Sequence, residues 1–225
     1  MFIMYPILST IQDDEERLNR VYRKYLRLCL MPMMWIMFSL AASASSIVHL
    51  LYGTAWLPSA PYLQILCVGY SLVPLVLVNR SYLSVKGRSD LLLKREINVR
   101  LVGLVLMLGA ATQSVAAICW AYTAFSLYNT IVTTAYTKSV SNTSVLEQMK
   151  DFLPYLMIAA AVNLPAVLIC WLGVPYYICA FAGPAISLVL YVSIMHIRRD
   201  DAYIMLRDTV WNCKPVRMIR ARLSA

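Results

Sequence analysis

Residues 28–79 read LCLMPMMWIMFSLAASASSIVHLLYGTAWLPSAPYLQILCVGYSLVPLVLVN and contain no Asp, Glu, Lys or Arg. Two more charge-free stretches follow at 101–137 and 152–197, so the three have 52, 37 and 46 residues. A helix needs about 20 apolar residues to cross a hydrocarbon core of about 30 Å. Each stretch therefore has room for two crossings and a short turn, and the pattern predicts six transmembrane helices in three hairpins.

The charged residues lie in four short clusters beside these stretches. If each stretch is a hairpin, all four clusters lie on the same side of the membrane. The chain has 20 Lys and Arg against 11 Asp and Glu, and an excess of basic residues marks the cytoplasmic side. The sequence therefore predicts that both termini are cytoplasmic.

The composition indicates an all-α, polytopic membrane bundle. Hydrophobic residues make up 60% of the chain and charged residues only 14%, against roughly 25% charged in a soluble domain. The net charge of +9 lies beside the predicted spans, where anionic membrane lipids are the expected counter-charge. Nucleic acid is therefore not the expected partner.

The chain divides into a leading segment, the bundle and a tail. Within residues 1–27, MFIMYPIL is expected to be the end of a truncated transmembrane helix, and 12–27 to be a cytoplasmic amphipathic helix. Residues 28–197 are the bundle, with a kink expected at Pro74, and 198–225 are predicted to be a cytoplasmic basic amphipathic tail on the inner leaflet. The six helices are predicted at about 28–50, 61–80, 97–113, 115–137, 152–171 and 176–197.

Polar but uncharged residues inside the predicted helices are candidates for lining a cavity. Small residues in the outer half of the first helix allow helix backbones to approach closely, which serves either packing or a cavity. The alternative of simple packing stays open. The candidate cavity residues are Ser39, Ser43, Ser46, Asn79 and Asn163.

The sequence offers no constellation of catalytic residues. The basic or histidine side chains within the predicted spans are His49, Arg80, Arg100 and His196, and the outer turns are too short for a catalytic loop. The six cysteines include no CxxC motif, so a metal site is not expected. We therefore predict a protein that is not an enzyme, with no catalytic residue, no metal and no cofactor.

Three stretches carry a resemblance to a known family. PILSTIQDDEERLNRVYRKYLR (6–27), LYGTAWLPSAPYLQILCVGY (51–70) and KGRSDLLLKREI (86–97) lie at matching topological positions. Together they resemble the C-terminal half of bacterial polysaccharide and lipopolysaccharide (O-antigen) flippases. These proteins belong to the multidrug/oligosaccharidyl-lipid/polysaccharide exporter superfamily, and the resemblance runs from about residue 6 to about residue 200.

The resemblance implies a transporter of the bacterial inner membrane. Its substrate would be an undecaprenyl-diphosphate-linked saccharide, moved between leaflets by alternating access. The N-terminal bundle of the family is absent, so a missing N-terminal half or a second copy of the chain is the implied partner. Arg27 and Arg80 lie near the inner mouth and are candidates to meet a diphosphate headgroup. The alternative for both is contact with lipid phosphate by snorkelling.

Two other functions remain open. The first is a membrane enzyme of the same surface-polysaccharide pathway, a ligase or polymerase, which would need a catalytic outer loop. The second is a non-transporting remnant or scaffold that binds another membrane protein. Only the absent N-terminal bundle separates the second alternative from the transporter.

Overall fold

The computed structural model describes residues 15–140, 145–171 and 174–212 of the chain. Within these ranges the chain forms nine α-helices and one 3-10 helix, and no strand. The predicted all-α class is therefore confirmed for the described residues. The expected truncated helix at 1–8 and the last part of the tail, 213–225, lie outside them.

The helices follow one another with short connections. Their bounds are α1 Glu15–Ala42, α2 Ala44–Tyr52, a 3-10 helix Thr54–Ser59, α3 Ala60–Ser71, α4 Val73–Val85, α5 Ser89–Ala111, α6 Val115–Lys138, α7 Val145–Trp171, α8 Tyr176–Ile197 and α9 Asp201–Asn212.

Helix α1 joins two predicted elements into one. The amphipathic segment 12–27 continues from Glu15 without a break into the first predicted span. Its apolar face repeats every four residues through Leu18, Tyr22 and Leu26, and all three are fully buried. They form the core together with residues of α4, α7 and α8, so this face packs inside the protein.

The helices are interrupted at Leu72 and at Gly53. The second predicted span is divided at Leu72 into α3 and α4, two residues before Pro74, which lacks the N–H needed to continue a helical hydrogen-bond ladder. Helix α2 ends at Gly53, whose φ of 81° is a conformation that residues with a side chain rarely adopt.

Five helical segments are long and apolar enough to cross a membrane. Helix α5 does not meet the same criterion, because Lys94, Arg95, Glu96 and Arg100 lie along its length. The described residues thus form a multi-pass helical protein with five clear candidate spans. The five are Glu15–Ala42, Thr54–Val85, Val115–Lys138, Glu147–Cys170 and Tyr176–Ile197.

Helix α1 is at the centre of the packing. It contacts α3 and α4 on one side and α7, α8 and α9 on the other, while α5 reaches the rest of the bundle mainly through α6. Helices α5 and α6 approach closely where Gly103 faces the ring of Phe125, since a Cβ at Gly103 would lie 2.7 Å from that ring. This arrangement leaves a cavity beside α1 and brings charged residues together in two places.

Candidate functional site

A cavity of about 440 Å³ lies between α1, α3 and α7, with one wall extended by the start of α2. Its volume falls within the roughly 300–1,000 Å³ typical of small-molecule sites. Most of its lining is small or apolar, and a few polar side chains interrupt it. The lining residues are Phe38, Ala41, Ala42, Ser45, Ser46, Gln64, Val68, Ala160, Asn163, Leu164, Val167 and Cys170.

Asn163 is the polar residue of this cavity with an unused acceptor. Its Nδ2 donates to the carbonyl oxygen of Ala159 at 2.8 Å. Its Oδ1 is buried and has no hydrogen-bond partner among the described residues. A buried acceptor without a partner costs free energy, and a hydroxyl group entering the cavity would supply one.

Two other polar side chains of the cavity already have neighbours. Gln64 donates from Nε2 to the carbonyl oxygen of Ala41 at 3.1 Å, which ties α3 to α1. Ser46 Oγ lies 3.9 Å from Cys170 Sγ, across the α2–α7 contact. These contacts link the walls of the cavity and leave the Oδ1 of Asn163 available to accept a hydrogen bond.

The five candidate cavity residues from the sequence divide into two groups. Ser46 and Asn163 line the cavity, whereas Ser39, Ser43 and Asn79 are buried and do not line it. Ser43 faces Gly183 of α8, since a Cβ at Gly183 would be 3.5 Å from its Oγ. That close approach is typical of helix packing through small residues.

A charged network joins α1 to α7, and we name Arg23, Arg27, Glu147 and Asp151 the α1–α7 charge cluster. Arg23 donates to the Asp151 carboxylate from Nε at 2.9 Å and from NH2 at 3.1 Å. Arg27 donates to Asp151 Oδ1 from NH2 at 2.6 Å and from Nε at 3.0 Å. Glu147 lies 3.7 Å from Arg23, and the Asp151 side chain is only 4% exposed.

The charge cluster changes the interpretation of Arg27. Both its Nε and its NH2 are engaged by Asp151, so fewer of its donors are left for a substrate headgroup. The sequence alone predicts no role for Asp151, which is the last charged residue before a charge-free stretch. An acid at the very edge of an apolar stretch was the available signal, since such a carboxylate needs a cationic partner.

A neutral hydrogen-bond network adjoins the charge cluster. The Tyr22 hydroxyl donates to Asn79 Oδ1 at 2.9 Å, and Asn79 Nδ2 donates to Gln148 Oε1 at 3.1 Å and to the Leu75 carbonyl at 2.7 Å. Asn79 is fully buried, and its side chain links α1, α4 and α7. These hydrogen bonds satisfy both polar atoms of the buried Asn79 amide.

A second charged group lies where α4, α5 and α6 meet, and we name Arg80, Arg95, Glu96 and Arg100 the arginine cluster. Arg95 is 2% exposed and donates from Nε to Thr133 Oγ1 at 2.9 Å, from NH1 to Glu96 at 2.7 Å and from NH2 to Asn129. Glu96 also contacts Arg80 NH2 at 3.4 Å and Arg100 NH2 at 3.0 Å.

One carboxylate thus faces three guanidinium groups. Burial alone would raise the pKa of Glu96, but the positive charges of Arg80 and Arg95 hold it below its ordinary value, so Glu96 is ionised. Arg80 Nε is buried without a hydrogen-bond partner among the described residues. Of the two arginines proposed from the sequence, Arg80 therefore keeps unused donor capacity.

The structure contains no obvious metal centre in its described part. No group of three or more His, Cys, Asp or Glu side chains there is arranged to hold a metal ion. The described residues do assemble the cavity at Asn163 and the two charged clusters.

Comparisons with known proteins match a part of the chain. Residues 2–61 match a protein family described as "Polysaccharide biosynthesis protein". Over 66 residues the chain is 36% identical to an "Uncharacterized membrane protein in cps region" of Klebsiella pneumoniae, an alignment that spans 29% of this chain and 14% of that protein. No solved structure matches the chain.

The candidate spans and these similarities agree. The chain is a multi-pass α-helical membrane protein, and over its matched segment it is similar to membrane proteins of polysaccharide biosynthesis.

Proposed function

We propose that this chain forms one helical bundle of a transporter that flips lipid-linked oligosaccharide or polysaccharide precursors across the bacterial inner membrane. The proposed mechanism is alternating access, and the proposed role is transport rather than catalysis. The substrate is an undecaprenyl-diphosphate-linked saccharide. The second bundle is an N-terminal half or a second copy of the chain.

The observation that carries the proposal is the cavity beside α1. A saccharide presents many hydroxyl groups on a compact body, and it needs a cavity with small walls and a few hydrogen-bonding groups. The unpartnered Oδ1 of Asn163 accepts from one such hydroxyl in the proposed complex. The similarity to polysaccharide-biosynthesis membrane proteins supports the same class of substrate.

The function is tested by complementation of a flippase-deficient strain. We expect the chain, expressed together with an N-terminal half, to restore surface polysaccharide, and Asn163→Leu to reduce it strongly because the acceptor is lost. The matched control is Leu168→Ala, since Leu168 lies on the same helix but is 62% exposed and does not line the cavity. Abundance of each variant in the membrane is compared by immunoblot.

Two results would contradict the proposal. Full restoration of surface polysaccharide by the Asn163→Leu variant, at unchanged abundance, would show that the cavity is not part of the transport path. Restoration by this chain in the absence of any second bundle, including its own dimer, would remove the need for a partner.

The proposed topology has six spans, with α5 as the third of them over about 97–113 and both termini in the cytoplasm. Alkaline phosphatase fusions test it, because the enzyme is active only on the outer side. Fusions at Gly53, Ser114 and Pro175 are expected to be active, and fusions at Gly87 and Ser139 inactive. An active fusion at Gly87 would reverse the orientation, and an inactive fusion at Ser114 would show that α5 does not cross.

A further inference from the structure

The arginine cluster carries more positive charge than its own carboxylate can balance. Three guanidinium groups contact Glu96, which gives the cluster a charge of +2. Carboxylates on neighbouring segments are engaged elsewhere. Asp90 pairs with Arg88 at 3.1 Å, and Glu15 pairs with Lys86 at 2.9 Å. An excess of charge in a partly desolvated site calls for an anion from outside the chain.

The cluster is also built to hold its guanidinium groups in place. Arg95 is buried and fixed by Thr133 and Asn129 of α6, so it anchors Glu96 at a defined position. Glu96 in turn positions Arg80 on one side and Arg100 on the other. Two arginines from different helices are therefore held around one point, with Glu96 as their only shared carboxylate among the described residues.

Arg80 and Arg100 retain donors for such an anion. The contact of Arg80 with Glu96 is long, at 3.4 Å, and Arg80 Nε has no partner among the described residues. Arg100 also shares its Nε and NH2 with Glu96, at 3.1 and 3.0 Å, but unlike Arg27 its side chain is 78% exposed and therefore accessible from outside the chain. Planar guanidinium groups with free N–H donors match phosphate oxygens in geometry as well as in charge.

The position of the cluster along α5 indicates where the anion comes from. Directly after Arg100, the helix presents an exposed apolar surface formed by Leu101, Leu104, Val105 and Leu108. In a membrane protein such a surface faces hydrocarbon, and the basic residues at its end lie at the level of the lipid headgroups. The cluster is therefore at the depth where phosphate groups of lipids are concentrated.

We propose that the arginine cluster is a binding site for a phosphate group at the membrane surface, with Arg80 and Arg100 as its ligating residues. Arg95 and Glu96 are positioning residues that hold these two arginines in place. This site does not depend on the proposed transport function. The same chemistry is offered by a phospholipid headgroup, by the diphosphate of a lipid-linked saccharide and by free phosphate.

Binding is measured on the purified full chain in detergent by thermal unfolding with added ligand. The probes are a short-chain phosphatidylglycerol, a short-chain polyprenyl diphosphate and inorganic phosphate, with a short-chain diacylglycerol as the probe without phosphate. We expect saturable increases in Tm with at least one phosphate probe and none with diacylglycerol. The probe that acts at the lowest concentration identifies the source of the phosphate.

Arg100→Gln is the decisive variant, because Arg100 is exposed and its replacement leaves folding intact. We expect it to weaken binding about tenfold, as for loss of a hydrogen bond to a charged group. Arg88→Gln is the matched control, since Arg88 is also exposed but has its own carboxylate partner, and it is expected to bind as the unchanged chain does.

Two outcomes would overturn the proposal. The first is the absence of any saturable increase with all three phosphate probes. The second is binding to Arg100→Gln that equals binding to the unchanged chain, or that is weakened no more than binding to Arg88→Gln.

Discussion

The α1–α7 charge cluster and the arginine cluster use similar residues in opposite proportions. In the first, two arginines face two carboxylates, and Asp151 is almost fully buried between them. In the second, three arginines face the single carboxylate of Glu96. The difference indicates two roles. A cluster with equal numbers of positive and negative charges holds helices together, whereas a cluster with excess positive charge retains affinity for an external anion.

The two clusters also differ in what removal of one residue does. Breaking a buried pair leaves an uncompensated charge and is strongly destabilising. Removing one cation from a group with a surplus of cations relieves repulsion instead, which offsets the lost contact. The same type of substitution should therefore have unequal effects in the two places, and the following predictions test this.

The largest effect is expected for Asp151→Asn. Arg23 and Arg27 would lose their shared carboxylate, and we expect the free energy of unfolding to fall by about 3 kcal/mol. The measurement is reversible chemical denaturation in detergent micelles. Glu147→Gln is the control, because its contact with Arg23 is long and half exposed, and a loss below about 1 kcal/mol is expected there.

Equal losses for Asp151→Asn and Glu147→Gln would contradict the view that burial of Asp151 makes the α1–α7 charge cluster a structural one.

A smaller effect is expected for Tyr22→Phe, which removes one neutral hydrogen bond beside the same cluster. The Tyr22 hydroxyl donates to the fully buried Asn79, so the variant leaves a buried acceptor with one partner fewer. A loss of about 1–1.5 kcal/mol in the free energy of unfolding is expected. Tyr177→Phe, at a residue that is half exposed, serves as the control.

If Tyr22→Phe destabilised the protein as much as Asp151→Asn, the neutral network rather than the ion pairs would hold α1 to its neighbours.

The smallest effect is expected for Arg100→Gln without added phosphate. Its contact with Glu96 is solvent-exposed, and loss of one of three cations relieves repulsion among the others. The free energy of unfolding is expected to change by less than about 0.5 kcal/mol in the same denaturation experiment. A loss near that of Asp151→Asn would make the arginine cluster a structural one and erase the difference between the two regions.

The helical architecture could be predicted because it depends on local patterns. The absence of charge over 28–79, 101–137 and 152–197 indicates apolar helices, and Pro74 indicates a kink, which the structure has at Leu72. The weakest span by composition, α5, begins at Ser89 and not near 97, because helical propensity continues through its charged first half. Hydropathy alone therefore does not predict that the helix begins at Ser89.

The charged clusters could not be predicted because they depend on contacts between distant segments. Arg27 and Asp151 are 124 residues apart, and Arg95 and Thr133 are 38 apart. Periodicity assigns a residue to a helix face but does not identify the helix that packs against it. One signal was present in α6, where Thr123, Ser126, Thr133 and Thr137 recur at helical spacing and are all buried.

The proline inside α1 has a mechanical consequence. The 28 residues of α1 extend about 42 Å, with Arg23 in its first half, Arg27 near its middle and the cavity residues Ala41 and Ala42 at its end. Pro32 lies inside the helix between the ion pairs with Asp151 and the cavity residues, and a proline there removes one backbone hydrogen bond. A bend of α1 would be concentrated at Pro32, so the cavity wall at Ala41 and Ala42 is not rigidly tied to the part of the helix that Asp151 holds.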